Sequence, residues 1–444
     1  MLSSAALTYG TEVLTAALSL GNALIVARGL GATGRGDVAF LTAVAYLTSS
    51  LATIGVQEAI GNIAGRSPNS RRALAGNSVV LSIVFGVIAA GAVAGLVALF
   101  PAVGAGSQTV LRWLVLASVP MLILQIFLRY LIQADYRFGV TNLALVVPAI
   151  LNVAINGTLA LIGELTVSTA LIVWIAGQAL ATLLLGAYVS LKLMGFGRPD
   201  TSLVRESIAF GAKSHIGRVM LLGNYRMDAW ILGGIAGTKE LGLYSVAVVW
   251  AEACFFLPTA LAAVQRPDLV RAGRMDAGRI GATVFRIAIT ATAGLVIILI
   301  VAAPFLCVVI FGEEFRGSVD DLQVLSLGAF GVIAMKQLAS ALTAQGFPIR
   351  SSVAIGVGFA ATLILDIVLI PELGGLGAAI ASTIAYTMGG LAAAVIFSRT
   401  LSLPMMELVP RPGDVSQFAR RVGSLVNHRR SASSERTDPP DEPR

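Results

Sequence analysis

Residues 77–100 read NSVVLSIVFGVIAAGAVAGLVALF and contain no Asp, Glu, Lys or Arg. A bilayer core about 30 Å thick is crossed by a helix of roughly 20 apolar residues, so this stretch is long enough to span a membrane. Similar apolar runs recur from residue 7 to residue 398, and only 12% of all residues are charged, against about 25% in soluble domains. The composition predicts an all-α polytopic membrane protein. It excludes a soluble enzyme, a nucleic-acid-binding module and a disordered chain.

Apolar runs and their breaks predict twelve membrane-spanning helices. The first six cover about 7–28, 37–60, 77–100, 110–133, 140–163 and 167–193, and the next six about 206–234, 241–264, 281–303, 322–344, 350–370 and 374–398. The stretch Pro304–Phe311 either extends the ninth span or forms a short re-entrant turn.

Lys and Arg gather after the even-numbered spans, as Arg66, Arg71 and Arg72 do after the second, and this bias is typical of cytoplasmic loops. It also explains the net charge of +7. Arg28 and Arg35 fall in the opposite, outer loops. We therefore expect both termini in the cytoplasm of a multi-pass protein of a bacterial-type cell membrane.

An internal repeat divides the chain at an offset of roughly 200 residues. Gly21–Asn22 matches Gly223–Asn224, and four further pairs of segments match in the same order. We expect an N-terminal six-helix lobe over 1–200, a C-terminal six-helix lobe over 201–400, and a disordered cytoplasmic tail over 401–444. Since six is even, the lobes share one orientation, and transporters built from such parallel repeats bind substrate between the lobes.

The first predicted span carries a polar stripe at spacings of three and four residues, which places it on one helical face. It consists of Thr8, Thr11, Glu12, Thr15, Ser19 and Asn22. Thr and Ser alone would indicate helix packing. The addition of Glu12 and Asn22 favours the wall of a wet cavity.

The seventh predicted span, GAKSHIGRVMLLGNYRMDAW (residues 211–230), is the most polar of the twelve. Ionisable residues inside a membrane usually face the bundle interior or a cavity, and the guanidinium fork of Arg suits phosphate oxygens. The candidate ligands for an anion are Lys213, His215, Arg218, Asn224 and Arg226. The alternative for Lys213 and Arg226 is snorkelling toward the headgroups. Lys336 of the tenth span adds to the same basic cavity, whereas Asp366 is expected near the membrane interface.

Three residues are candidates for coupling transport to an ion: Glu12, His215 and Asp228. The alternative role of His215 is a structural hydrogen bond. No catalytic motif, ATP-binding loop or metal-ligand spacing occurs in the sequence, so we expect no enzyme activity, no cofactor and no metal. The run Gly29–Gly36 resembles a phosphate loop but joins two membrane helices, which predicts a flexible turn.

Four segments resemble a known family, the polysaccharide-biosynthesis flippases of the multidrug/oligosaccharidyl-lipid/polysaccharide (MOP) exporter superfamily. They are LGATGRGD (30–37), QADYRF (133–138) with Asn142, LYSVA (243–247) and IPELGGLGAAI (370–380). The resemblance covers residues 1 to about 400. It implies two six-helix lobes around a central cavity lined by basic residues, with Lys213, Arg218 and Arg226 on span 7 and Glu12 and Arg28 on span 1.

The implied function is a flippase that moves a polyprenyl-diphosphate-linked oligosaccharide from the cytoplasmic to the outer leaflet for surface polysaccharide biosynthesis. Its partners would be this anionic lipid, membrane lipids and the polysaccharide polymerase or export machinery, with no nucleic acid. One alternative is a cation-coupled multidrug exporter of the same superfamily. The other is a membrane glycosyltransferase or polymerase that acts on a lipid-linked glycan.

Overall fold

The computed structural model describes residues 2–99, 109–193, 195–255, 269, 272–411 and 413–414, with side chains except at 2–9, 97–99, 109, 213, 214, 216, 218 and 255. Within this part of the chain no strand occurs, in agreement with the predicted all-α class. The α-helices are α1 (Leu2–Ala52), α2 (Val56–Arg66), α3 (Arg71–Leu99), α4 (Thr109–Ala117), α5 (Val119–Gln133), α6 (Phe138–Leu161), α7 (Val167–Lys192), α8 (Thr201–Ile235), α9 (Thr238–Glu252), α10 (Arg274–Pro304), α11 (Ser318–Ala344) and α12 (Pro348–Leu401).

Two of these helices change direction at a glycine. Gly31 interrupts α1 with φ 67°, and Gly374 interrupts α12 with φ 56°. Past the second turn, an ideal Cβ on Gly377 would lie 2.4 Å from the carbonyl oxygen of Leu369. In a straight helix these residues would be about 12 Å apart along the axis, so the chain folds back on itself here. In the first of the two helices, the turn predicted over Gly29–Gly36 is a bend at Gly31 alone, and the helix continues on both sides of it.

Eight helical stretches in the described residues are long and apolar enough to cross a membrane. They are Gly10–Ala52, Pro68–Leu96, Val110–Gln133, Phe138–Leu161, Val167–Lys192, Arg274–Val309, Ser318–Ala344 and Pro348–Leu401. The first and the last contain the turns at Gly31 and Gly374. Helix α8 is not among them because charged residues recur along its sequence, and α9 is described over only 15 residues. The chain is therefore a multi-pass membrane protein.

The connections between helices lie at two opposite ends of the bundle. We call one end distal: it carries the turns at Gly31, Gly237, Gly312 and Gly374. We call the other end terminal: it carries the connections at 53–55, 66–71, 134–137, 193–200 and 345–348. At the terminal end, Asn77 exchanges two hydrogen bonds with the backbone of Asp200, and Arg71 pairs with Asp135 at 2.9 Å.

The helices of residues 2–192 pack mainly on one another, and so do those of residues 201–401. We call these sets the first and the second helix group. Each group has positive-φ glycines at matching distal turns, Gly31 and Gly163 in the first and Gly237 and Gly374 in the second. Matching asparagines also make matching contacts. Asn22 accepts from Asn156 at 2.8 Å, and Asn224 accepts from Thr362 at 2.7 Å.

The predicted spans differ from the helices where the backbone bends. Span 2 was expected to continue to residue 60, but α1 ends at Ala52, and Ile54 and Gly55 adopt positive φ before α2 begins. Span 4 is broken at Ser118 into α4 and α5, because Pro120 follows in the first turn of α5. The stretch Pro304–Phe311 extends the ninth span, since residues Phe305–Val309 continue α10 as a π-helix.

Residues after α12 fold back onto α10. The Arg286 side chain of α10 donates to Asp414 Oδ2 at 2.9 Å and to the Glu407 carbonyl at 2.6 Å, and both charged side chains of the Arg286–Asp414 pair are under 10% exposed. Leu403 and Leu408 are buried beside Phe285 and Phe397. The first residues of the predicted tail, 401–411 with 413 and 414, thus pack against the helices, and the rest of that tail lies outside the described residues.

Candidate functional site

A polar cavity of about 770 Å³ lies between the two helix groups. Helices α1, α5, α6 and α7 form its first wall, and α8 and α9 form its second wall. Its polar and aromatic lining includes Ser19, Arg35, Thr42, Tyr46, Ser49, Ser50, Gln125, Arg129, Tyr130, Trp174, Gln178, Tyr225, Arg226, Asp228, Tyr244, Ser245 and Glu252. Such a lining is expensive against lipid, so the cavity is a wet space within the bundle.

The second half of α1 runs along the whole cavity. Arg35, Ala39, Thr42, Tyr46 and Ser49 follow one another at spacings of four and three residues, which keeps them on one face of the helix. The sequence interpretation placed Arg35 in an outer loop. It is wrong in this respect, because the turn is confined to Gly31 and the helix resumes before Arg35.

The two walls carry different charges. The first wall contributes Arg35 and Arg129 and no carboxylate among the described residues. The second wall contributes Arg226 together with Asp228 and Glu252. Arg226 Nη1 lies 3.0 Å from Glu252 Oε1, so this arginine is already paired with an anion. The second wall thus offers an anionic ligand a paired arginine and two carboxylates, whereas the described lining of the first wall offers arginines and no carboxylate.

A buried polar network lies behind the second wall. Asp228 Oδ2 accepts from Tyr244 Oη at 2.6 Å, and Ser382 Oγ lies 3.5 Å from the same oxygen. One turn before Asp228, Asn224 is fully buried and accepts from Thr362 Oγ1. The side chains of α8 and α12 thus meet through hydroxyl, amide and carboxylate groups.

Asp366 belongs to the same network. It lies one turn beyond Thr362, is 0% exposed, and interacts electrostatically with Asp228. Neither of its carboxylate oxygens has a hydrogen-bond partner within the described structure. Asp366 was expected near the membrane interface; α12 continues for eight residues beyond it to the turn at Gly374, and the side chain is fully buried among the helices. A buried carboxylate without protein donors is a place for a proton or a cation.

The two helix groups touch at the distal end of the cavity. Backbone of α1 and α9 is in direct contact, because an ideal Cβ on Gly36 would lie 1.6 Å from the Thr238 carbonyl oxygen. Asp37 lies beside Thr238 at this contact. Nearer the turn, Arg28 donates to the carbonyls of Ile310 and Val309 at 2.7 and 2.8 Å. Glu314 Oε2 accepts from the Ala32 amide at 3.3 Å.

The groups also touch at the terminal end. Gly55, which follows α1 with φ 72°, lies against Gly211 of α8, and an ideal Cβ on Gly55 would be 2.3 Å from the Gly211 carbonyl oxygen. Both contacts depend on glycine, since any side chain would push the backbones apart. The cavity lies between these two contacts.

The structure separates the predicted site residues. Arg226 and Asp228 line the cavity. Lys336 is placed with its Nζ 5.2 Å from the ring centre of Tyr225, a cavity residue. Asn224 is buried in the network behind the second wall, and His215 is half-buried and outside the cavity lining. The side chains of Lys213 and Arg218 lie outside the described part of the structure, although their backbone belongs to α8.

The predicted residues of the first span are also dispersed. Glu12 is exposed, Asn22 is bonded to Asn156, and Arg28 belongs to the distal contact. Of the polar stripe on this span, Ser19 lines the cavity. The described residues contain no group of three or more His, Cys, Asp or Glu that could hold a metal ion.

Sequence reasoning missed several cavity residues, chiefly Arg35, Arg129 and Trp174. The signal for Arg35 was the recurrence of polar residues at helical spacing after the turn, which the assignment of the whole glycine-rich run to a loop concealed. Gln125 and Arg129 are likewise one turn apart on α5, and Trp174 and Gln178 on α7.

Comparison with known proteins agrees with this architecture. The sequence model of the family described as "Polysaccharide biosynthesis protein" matches residues 25–320. No curated protein sequence matches the chain.

Several solved structures share its fold. The lipid II flippase MurJ in an inward closed conformation is 14% identical over 90% of this chain and 89% of its own, with a TM-score of 0.72. An inward-facing multidrug resistance MATE family transporter of the MOP superfamily is 14% identical over 87% of this chain and 94% of its own, with a TM-score of 0.70. A MOP superfamily transporter from Pyrococcus furiosus with reversed polarity of its binding pocket is 13% identical over 89% and 94%, with a TM-score of 0.64. The fold is that of the MOP superfamily transporters.

Proposed function

Because the chain belongs to the polysaccharide biosynthesis protein family, we propose that it moves a polyprenyl-diphosphate-linked oligosaccharide across the membrane, from the cytoplasmic to the outer leaflet. The observation that carries this proposal is the polar cavity between two helix groups, with arginines on its first wall. A diphosphate needs cationic donors away from water, and arginine can bind two of its oxygens at once. The polyprenyl tail would remain in the bilayer.

The size of the cavity limits what enters it. Its volume of about 770 Å³ lies within the roughly 300–1,000 Å³ of pockets that enclose small ligands. It therefore accommodates the diphosphate and the first sugars rather than a long glycan. Aromatic and amide side chains such as Trp174 and Gln178 suit the sugars, because a ring face packs on an aromatic plane while hydroxyl groups bond to amides.

The topology follows from the two glycine turns. Helices α1 and α12 have 51 and 54 residues, more than twice the length that crosses an apolar core about 30 Å thick. Each therefore supplies two spans, and α8 with α9 adds the remaining two of twelve. We assign the first helix group to the N-terminal lobe (1–200), the second to the C-terminal lobe (201–400), and the terminal end to the cytoplasm, since Lys and Arg concentrate there.

Transport would proceed by rocking of the two lobes. In the described state the distal contact is the more extensive, because Arg28, Gly36 and Glu314 all bridge the groups there. Cargo would enter from the terminal side and leave after the distal contact opens. A polymerase or export complex would then take the glycan at the outer face.

Ion coupling would use Asp228. It lies both on the cavity wall and in the buried network with Asp366, so its charge affects both places. Binding of a proton or a cation to this pair would relieve the repulsion between two buried carboxylates. Glu12 and His215 remain alternative proton carriers, because each lies within a predicted membrane span.

The rival functions fit the cavity less well. A cation-coupled multidrug exporter needs acidic groups that face its substrate, but Glu252 is paired with Arg226 and Asp228 is bonded to Tyr244. A glycosyltransferase or polymerase would not be expected to have the fold of MOP transporters.

The test is export of surface glycan by a deletion strain complemented with variants. Arg129→Gln and Arg218→Ala should reduce surface glycan and accumulate the lipid-linked precursor in the inner leaflet, while Arg112→Gln, which lies outside the cavity lining, should not. Normal export by both well-expressed arginine variants would contradict the proposal. A change in resistance to cationic dyes, or sugar transfer by the purified protein, would favour a rival.

Coupling is tested separately in proteoliposomes. Flipping by the native chain should respond to an imposed proton or sodium gradient, and Asp228→Asn and Asp366→Asn should remove that response. The matched control is Asp320→Asn, an exposed carboxylate at the distal end. Indifference of the native chain to both gradients would exclude coupling and leave the flippase proposal intact.

A further inference from the structure

Arg35 is an arginine of the cavity wall that has no anionic partner in the described part of the chain. Its side chain is half-buried, and its Nε atom is buried without a hydrogen-bond partner. No carboxylate of the described residues lies within 4 Å of its guanidinium, in contrast to Arg226, which is paired with Glu252. A cation in the interior of a membrane protein is costly, so its position on a wet cavity indicates a ligand of opposite charge.

The nearest acid along the chain does not neutralise Arg35. Asp37 is two residues further on, and residues at this spacing point to different sides of a helix. Asp37 lies beside Thr238 at the distal contact, whereas Arg35 lines the cavity. The guanidinium is therefore available to whatever occupies the cavity.

Arg35 is far from the other cation of the first wall. The cavity face of α1 extends from Arg35 to Ser50, a distance of about 22 Å along the helix axis. Arg129 lies four residues before α5 ends at the terminal end. Arg35 instead lies next to Gly36, at the distal contact. The two arginines thus mark opposite ends of the cavity.

We infer that Arg35 forms a second anion site, which receives the diphosphate of the cargo at the distal end of the cavity before release. This inference rests on the proposed function. A diphosphate bound at Arg129 would lie at the terminal end, where cargo enters the cavity. A diphosphate bound at Arg35 would already have crossed most of the bilayer. Because Arg35 adjoins the Gly36 contact, the ligand lies where the two helix groups must separate. The same chemistry would also suit the carboxylate of an acidic sugar, and the test distinguishes the two.

The test measures ligand binding to the full chain in nanodiscs, with farnesyl diphosphate, farnesol and glucuronic acid as probes. Arg35→Gln should weaken farnesyl diphosphate binding about tenfold or more, since a charged hydrogen bond contributes about 1.5–3 kcal/mol and 1.4 kcal/mol is a factor of ten. Arg35→Lys should weaken it less, because the charge remains and the fork is lost. Farnesol binding should not change.

Arg112→Gln is the matched control. Arg112 is also half-buried, and its Nε is also buried without a partner, but it does not line the cavity. Its replacement should leave farnesyl diphosphate binding unchanged. An equal loss in Arg35→Gln and Arg112→Gln would show a general effect of positive charge and overturn the inference.

A labelling experiment keeps Arg35 in place, so it does not depend on how the variant folds. Ala39 lies one turn from Arg35 on the same cavity face. In a chain with Cys254→Ser and Cys307→Ser, farnesyl diphosphate should slow the reaction of Ala39→Cys with N-ethylmaleimide several-fold, and farnesol should not. Unchanged labelling overturns the inference, and protection by glucuronic acid alone assigns the site to acidic sugar and overturns it as well.

The outcomes separate this inference from the proposed function. If the native chain binds no farnesyl diphosphate, both fail. If it binds farnesyl diphosphate, and Arg129→Gln weakens binding while Arg35→Gln does not, the proposed function stands and the distal anion site is wrong.

Discussion

Replacing Gly36 with alanine should open the distal end of the cavity. An ideal Cβ at this position would lie 1.6 Å from the Thr238 carbonyl oxygen, and real Cβ atoms essentially never approach within 3.0 Å. The first turn of α9 must therefore move by more than about 1 Å, and overpacking of this kind costs about 1–3 kcal/mol. Only the distally closed state bears this cost. The ratio of closed to open molecules should fall about 5- to 150-fold.

The assay is the distance between spin labels at Leu161→Cys and Val301→Cys, which are exposed positions near the distal end of the two helix groups. The native chain in nanodiscs should give mainly the short distance, and Gly36→Ala should shift the distribution to the longer one. Gly91→Ala is the control, since a Cβ there meets nothing within 4 Å. An unchanged distribution in a folded Gly36→Ala protein would refute the view that this contact closes the cavity.

Three further predictions concern other contacts. Gly211→Ala should separate the groups at the terminal end, because its Cβ would lie 2.6 Å from the Gly55 carbonyl carbon, and labels at that end should report a longer distance. Arg286→Gln should lower the free energy of unfolding by about 3–5 kcal/mol, because buried Asp414 loses its ion-pair partner. Arg316→Gln should change it little, since both side chains of its ion pair are 70% exposed. Thermal unfolding in detergent measures both effects. Hydrogen bonds from Ser202 and Leu203 lower the pKa of Asp200. The stability that Asp200 contributes is therefore present above its ordinary pKa and is lost as the pH falls through the lowered pKa. The difference in melting temperature between the native and the Asp200→Ala protein should shrink on acidification from pH 5 to pH 3.

The membrane class and most helices could be predicted because apolar length decides them. The 24 uncharged residues at 77–100 have no stable place except a bilayer or a core, and α3 covers residues 71–99. The helix bounds were less predictable at Gly31, Ile54 and Ser118. There a single backbone conformation ends or bends the helix, and hydropathy averaged over many residues does not register it.

The charged residues show the limit of sequence reasoning more sharply. Arg226 and Arg35 have the same side chain, yet one is paired with Glu252 and the other has no carboxylate within 4 Å among the described residues. Glu252 is 26 residues from Arg226 along the chain, and only the packing of α8 on α9 brings the two together. Asp366 was expected near the interface because it lies near the end of its predicted span, but the helix continues for eight more residues to the turn at Gly374.

The separation of the charges gives the proposed mechanism its main constraint. Diphosphate would bind to the first wall, whereas the carboxylates that could accept a coupling ion belong to the second helix group. No described side chain both lines the first wall and belongs to the second helix group. Coupling between ion binding and diphosphate binding must therefore pass through the contact between the two groups. Tyr244 offers that route: its hydroxyl donates to Asp228, and it lies two residues from Gly242, whose own Cβ position is 1.9 Å from the Ala32 carbonyl oxygen. A change of charge at Asp228 would shift α9, and α9 cannot shift without loosening the distal contact beside Arg35.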